Sequence, residues 1–190
     1  MLEDAGFDLE GWLVRKTSQK LGRKEGTAFV IGNGVAKPEG LLTATGVTEV
    51  NTGHASQLTP VGLIRLETAL PEFYARNAVF LMKRATRGLI REMKDLQDRF
   101  IWDPGIRDAV PPTILGYPYV ECIDMPVVGA GTFPIIFGDT RAAYTILDKG
   151  GISVTRDPFS VKPKVEFYTR KRVGGQVVLA EAMVKQKVSA

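Results

Sequence analysis

Cysteine and histidine are nearly absent from this chain, with Cys122 and His54 standing alone. A single cysteine excludes a disulfide framework, and one cysteine with one histidine leaves no CxxC pair and no ligand cluster with zinc spacing. No stretch reaches the ~18 uninterrupted apolar residues that read as a membrane span. The acidic start "MLEDAGFDLE" is unlike a signal peptide, so neither a membrane nor export is expected. Repeats at solenoid periods and low-complexity tracts are also missing. What remains is a globular composition: 190 residues, 44% hydrophobic, enough for one domain or two intertwined subdomains. The formal charge of +4 is mildly basic, which permits contact with nucleic acid without demanding it.

The first element reads as a helix from Phe7 to Glu25. Leu9, Trp12, Leu13 and Leu21 fall near helical spacing, and Arg15, Lys16, Ser18, Gln19 and Arg23 cover the rest. Asp8 suits the N-cap, Phe7 and Trp12 suit a hydrophobic staple, and Gly26 suits a stop. Leu41 to Gln57 reads as short extended pieces and loop linking two bodies. Thr59-Pro60 starts a second helix with Leu63, Leu66 and Leu70 on its apolar face, ended by Pro71. "NAVFLM" (Asn77 to Met82) is a short buried strand, and Arg84 to Asp95 resumes helical spacing through Ala85, Leu89 and Met93. Leu96 to Tyr119, with Pro104-Gly105 and Pro111-Pro112, reads as a long ordered loop. "YVECIDM", "FPIIFGD" and "AAYTILD" are strand-like.

From Val161 to Val173 the odd positions Val161, Val165, Phe167, Thr169 and Val173 are mainly apolar, and the even ones polar. Fully extended, that run spans ~40 Å, and with "GISVTRD" before it the pattern implies a long two-stranded ribbon. Strands and helices alternate irregularly, so the fold class is α+β with mostly antiparallel pairing.

Four constellations could carry chemistry. Gly32-Asn33-Gly34 with Lys37 has the look of a phosphate cradle, which would imply a nucleotide-binding enzyme. A dinucleotide fingerprint, however, follows a strand and opens a helix; here the helix comes first and Lys37 stands where the third glycine belongs, so a tight turn fits better. Asp124 and Asp139, at strand ends, could form an acid–base pair, but Asp139 before Thr140-Arg141 fits a turn cap better. Cys122 lies in an apolar strand and His54 in a polar loop, neither with an activating partner in view. Lys162, Lys164, Arg170, Lys171 and Arg172, with Tyr168 among them, could make the ribbon face a nucleic-acid-binding module. With one aromatic there, a solvated face that forms salt bridges to a neighbouring subunit is the better reading.

Several stretches in order, "LEDAGFDLEGWL", "KEGTAFVIGNGVAKPEGLL", "LPEFYARNAVFLMKRAT", "REMKD", "LGYPYVECIDMP", "FGDTRAAYTILDKGGISVTRDPF" and "FYTRKRVGG", resemble the major capsid protein of tailed bacteriophages with the Hong Kong 97-type fold, and the related prophage and gene-transfer-agent capsids. The resemblance implies a flat triangular subunit. Residues 1–45, holding a spine helix, and 150–174, the long β ribbon, would form a peripheral domain; 46–149 and 175–190 would form an axial domain. It implies assembly with copies of itself into pentamers and hexamers of an icosahedral shell around double-stranded DNA, packaged without sequence-specific contact. Portal and scaffolding components would be partners, the location the virion, and the bacterial host cytoplasm before assembly.

The family's N-terminal arm and extended loop, which reach across neighbours, would lie upstream of Met1, so this chain alone is expected to be a monomer or weak oligomer. Some members crosslink their shells through a lysine on that loop, an asparagine and a glutamate. Aligned on "RKRVGG", Arg170 stands in the glutamate position and Pro163 in the asparagine position. No catalytic, cofactor-binding or metal residue is therefore carried over, and an enzyme is not expected.

Overall fold

The computed structural model describes residues 8–95, 97–101, 113–162 and 165–189, with the side chains of residues 9 and 10 left aside. Helix α1 spans Leu9–Ile31, and the Asp8 carboxylate accepts the Gly11 N–H at 2.9 Å, the expected cap. Phe7, one half of the expected staple, lies outside the described residues, and Trp12 is 43% exposed rather than packed. The helix does not stop at Gly26. A glycine inside a helix costs only about 1 kcal/mol, and continuing buries Val30 and half-buries Phe29 against the core. The chain leaves the helix at Gly32, whose N–H still bonds the Ala28 carbonyl at 2.8 Å.

The core is a six-stranded sheet built from β1 (Thr48–Asn51), β2 (Val79–Met82), β3 (Thr113–Ile114), β4 (Tyr117–Glu121), β5 (Ile135–Gly138) and β10 (Met183–Lys187), in the order β1-β10-β5-β2-β4-β3. β1 with β10 and β2 with β4 are parallel; the other pairings are antiparallel. Register explains the layering, because cross-strand partners point to the same face. Phe80, Phe137 and Val184 are aligned and face α2 (Pro60–Thr68) and α4 (Arg84–Arg91), joining Leu63, Leu66 and Ile90 in one cluster. Ile136 and Met183 face the other way, towards Val30 at the end of α1, Val47 and Met125. Both faces are thus covered, and β5 is buried along its length.

Local signals located most elements. Thr59 caps α2 by accepting the Gly62 N–H at 3.0 Å, and Leu63, Leu66 and Leu70 are buried as the spacing implies. Four readings are corrected. In α4 the buried positions are Thr86 and Ile90, not Ala85 and Leu89, and the helix ends at Arg91. Between Leu96 and Tyr119, Thr113–Ile114 and Tyr117 onward pair as a hairpin, while residues 102–112 lie outside the described set. "YVECIDM" leaves the sheet after Glu121, and Ala142-Ala143 belong to the short helix α5 (Thr140–Ala143) rather than a strand. The remaining elements of the core half are the short α3 (Glu72–Ala75) and a 3-10 turn at Ala180–Ala182.

The ribbon is made differently from the expected uninterrupted strand. β6 (Tyr144–Asp148) pairs with β9 (Val173–Val177), and β7 (Ser153–Asp157) with β8 (Glu166–Arg170), all antiparallel. Between Asp148↔Val173 and Ser153↔Arg170 one side has four residues and the other two, so the halves are joined by a bulge. Gly150 and Gly151 supply it with φ of 81° and 60°, a region costly for other residues. Within β8, Phe167 and Thr169 are half-buried and the even positions exposed, as the alternation requires. Val161 falls in the turn and is 42% exposed.

Candidate assembly surface

One joint fastens helix and ribbon to the core. The Tyr144 ring packs edge-on against Phe29 of α1 at 5.9 Å, and its hydroxyl donates to the Glu39 carbonyl at 2.7 Å. Glu39 N–H in turn donates to the Gly175 carbonyl at 2.8 Å, so the loop after α1 is stitched to β9. A Cβ at Gly175 would come within 2.4 Å of the Tyr144 hydroxyl, so this approach needs glycine. Burial, then the Glu39 carboxylate, pushes the Tyr144 phenol up to about 12.

A second fastening is ionic. Lys171 Nζ lies 2.7 Å from Glu25 Oε2 on α1 and 3.4 Å from Asp148 Oδ2 on β6, at the bulge between the two ribbon halves. The Glu25 hydrogen bond is the main reason the ammonium is held above the ordinary lysine range. A third uses Asp124, which takes both guanidinium nitrogens of Arg23 at 2.8 and 2.9 Å and the Thr27 hydroxyl at 3.0 Å. The first two fastenings join the C-terminal half of α1 and the loop after it to the inner half of the ribbon, and the third ties α1 to the turn after β4.

Beyond the joint, large apolar side chains meet solvent: Leu147, Ile152, Val154, Phe159 and Tyr168 along the ribbon, with Phe159 79% exposed at its tip. That tip is ordered by Asp157, whose carboxylate accepts from the Phe159 and Ser160 N–H groups and the Ser160 hydroxyl, lowering its own pKa through those bonds.

The other constellations lose their chemical readings. Gly32, Asn33 and Gly34 form a hairpin-like turn in which Asn33 bridges Glu39, Gly34 N–H bonds the Pro38 carbonyl at 3.4 Å and Gly40 N–H the Gly32 carbonyl at 2.8 Å. The Gly34 and Gly40 amides are thus taken by carbonyls of the same turn and the Val35 amide by the Asn33 side chain, after a helix end, so the nucleotide-cradle reading is not supported. Asp139 caps α5 through the Arg141 and Ala142 N–H groups at 3.0 and 3.2 Å, and Asp124 is engaged by Arg23, so they form no acid–base pair. Cys122 is half-buried beside the second core cluster. His54 accepts the Ser56 N–H in an exposed loop.

Two cations of the basic ribbon face are engaged within the chain: Lys171 turns to Glu25 and Arg170 lies over the Tyr168 ring at 5.6 Å; Lys164 and Pro163 lie outside the described residues. The nucleic-acid reading of the ribbon is not supported. Sequence reasoning missed the Lys171 clamp, although a signal existed: residue 171 is an odd position, on the half-buried register, where a lysine implies an internal acidic partner. Among the described residues no group of three or more His, Cys, Asp and Glu side chains is placed to hold a metal ion, and no helix is long and apolar enough to cross a membrane.

The phage capsid family matches residues 1–188. Two solved structures are similar over all of this chain at 39% identity: the capsid of an empty GTA particle computed with C5 symmetry, with TM-score 0.91 over 69% of its chain, and that of a native GTA particle, 0.92 over 68%. The fold extends at 18% identity to the holo-SrpI encapsulin complex from Synechococcus elongatus, with TM-score 0.67 over 99% of this chain and 69% of that one. It extends at 20% identity to Gordonia phage Cozz, with TM-score 0.61 over 97% and 68%. No curated protein matches. An α+β core with a projecting ribbon and an exposed long helix is the Hong Kong 97-type architecture of these shells, and the chain belongs to the phage capsid family.

Proposed function

We propose that the chain is a major capsid subunit that assembles with its own copies into pentamers and hexamers of an icosahedral shell holding double-stranded DNA. The observation that carries the reading is the ribbon: Ile152, Val154, Phe159 and Tyr168 are exposed along an arm whose outer strands, among the described residues, pair with each other. Such surfaces repeated by symmetry close a shell without chemistry. In this reading residues 1–45 and 150–174 form the peripheral part and 46–149 with 175–190 the axial part. The Glu25–Lys171–Asp148 clamp then sets the angle between spine helix and ribbon. Portal and scaffolding proteins are the further partners, and the virion is the working location, reached from the bacterial host cytoplasm.

The test is expression of the complete gene carrying this chain, followed by negative-stain microscopy. Closed particles are expected, and Phe159→Asp with Leu147→Asp should abolish them while leaving a folded subunit. A complete gene product that stays monomeric at high concentration would refute the proposal.

A further inference from the structure

The exposed side of α1 carries a charge pattern that the fold does not use. Arg15, Lys16, Lys20 and Lys24 are all exposed, and among the described residues none of them has an ion-pair, hydrogen-bond or ring partner. The acidic residue of that stretch, Glu25, turns away to Lys171, and the neighbouring Arg23 is taken by Asp124. Lys16, Lys20 and Lys24 are spaced four apart, which stacks them along one helical row. Between them lie Gln19 and Gly22, also exposed. Four cations within one helical stretch make a local positive strip.

The geometry points to a phosphate-backbone contact: we infer that the outward face of α1, through Arg15, Lys16, Lys20 and Lys24, binds duplex nucleic acid without reading its sequence. The inference rests on the shell reading and assigns the packaged duplex a surface on the subunit. From Arg15 to Lys24 the helix rises about 14 Å, alongside which a duplex presents about eight phosphates. The chemistry disfavours a protein partner, because lysine is depleted at protein–protein interfaces, whereas nucleic-acid interfaces are polar and strongly positive. Lysines act as point charges suited to phosphates at varying positions, with no bidentate fork to impose register.

The probe is a fluorescein-labelled 20-base-pair duplex of arbitrary sequence, titrated with the chain by polarisation between 50 and 200 mM salt. Four phosphate contacts imply a slope of log K against log salt of about −3.6, or about 150-fold weaker binding across that range. The variant R15Q/K16Q/K20Q/K24Q keeps helix-compatible side chains at solvent positions, so circular dichroism should be unchanged. Its affinity at 50 mM should fall at least tenfold, with most of the slope gone. Trp12, on the same helix, gives a local readout in the W102F background: its fluorescence should change on adding duplex.

Unchanged duplex affinity and slope in the folded variant would overturn the inference. If that variant instead lost particle formation, the strip would belong to an acidic protein surface, which also overturns it. Failure of the shell reading is distinct, because it appears as an absence of particles from the complete wild-type gene whatever the duplex binding.

Discussion

The six-stranded sheet and the ribbon are both antiparallel-rich and both alternate apolar with polar residues, yet they end in opposite states. In the sheet, β5 and β10 are buried on both faces, with Phe80 and Phe137 stacked at 4.3 Å. In the ribbon, Leu147 and Phe159 stand in solvent. The sheet finds helices on either side within its own chain; the ribbon's outer half pairs strand to strand, and among the described residues Val154, Phe159 and Tyr168 on it stay exposed. A strand pair alone is marginal in water, so an arm of this kind gains its support from neighbours, and its apolar face is a contact held in reserve.

Breaking the self-sufficient region should give the largest effect. Phe137→Ala empties a fully buried site under the Phe80 and Tyr117 rings and should cost about 3–5 kcal/mol, read as a lower urea midpoint. Next comes the joint. Gly175→Ala forces a methyl onto the Tyr144 hydroxyl and should cost about 1–3 kcal/mol, with hydrogen-exchange protection lost in β6 and β9 but kept in β5.

Lys171→Met should have a smaller and local effect, speeding exchange at Tyr144–Asp148 and Val173–Val177. The same joint should be released by alkali. Lys171 and Tyr144 both have folded pKa values raised above their unfolded ones, so their contribution is complete below about pH 10 and is lost as pH rises towards the Tyr144 value of about 12. An alkaline titration of β6 and β9 exchange checks this. Phe159→Ser should change subunit stability by less than about 0.5 kcal/mol while reducing particle yield, which separates assembly from folding most sharply.

Features governed by neighbours in sequence were legible. Asp8 and Thr59-Pro60 announce their helices because capping is a local transaction between a side chain and amides three residues on. Asn33-Gly34 announces its turn for a similar reason. Features set by distant packing were not. Gly26 reads as a stop until burial of Val30 is weighed against its small cost. Thr86 reads as polar surface until the sheet beneath α4 is known, and its burial shifts the whole apolar face by one residue. Gly150-Gly151 reads as the end of a strand, whereas pairing on both sides makes it a bulge within one ribbon. The assembly surface was legible only through the ordered resemblance to capsids. No single residue in it carries a chemical signature, since exposed apolar side chains mean little until the fold shows that nothing covers them.

The most direct measurement is hydrogen exchange of β7 and β8 in the free subunit and in assembled particles from the complete gene. Protection of Ser153–Asp157 and Glu166–Arg170 should be weak in the subunit and strong in the particle, with β5 and β10 equally protected in both. Equal protection of the ribbon in the two states would contradict the assignment of its outer half to a neighbouring copy.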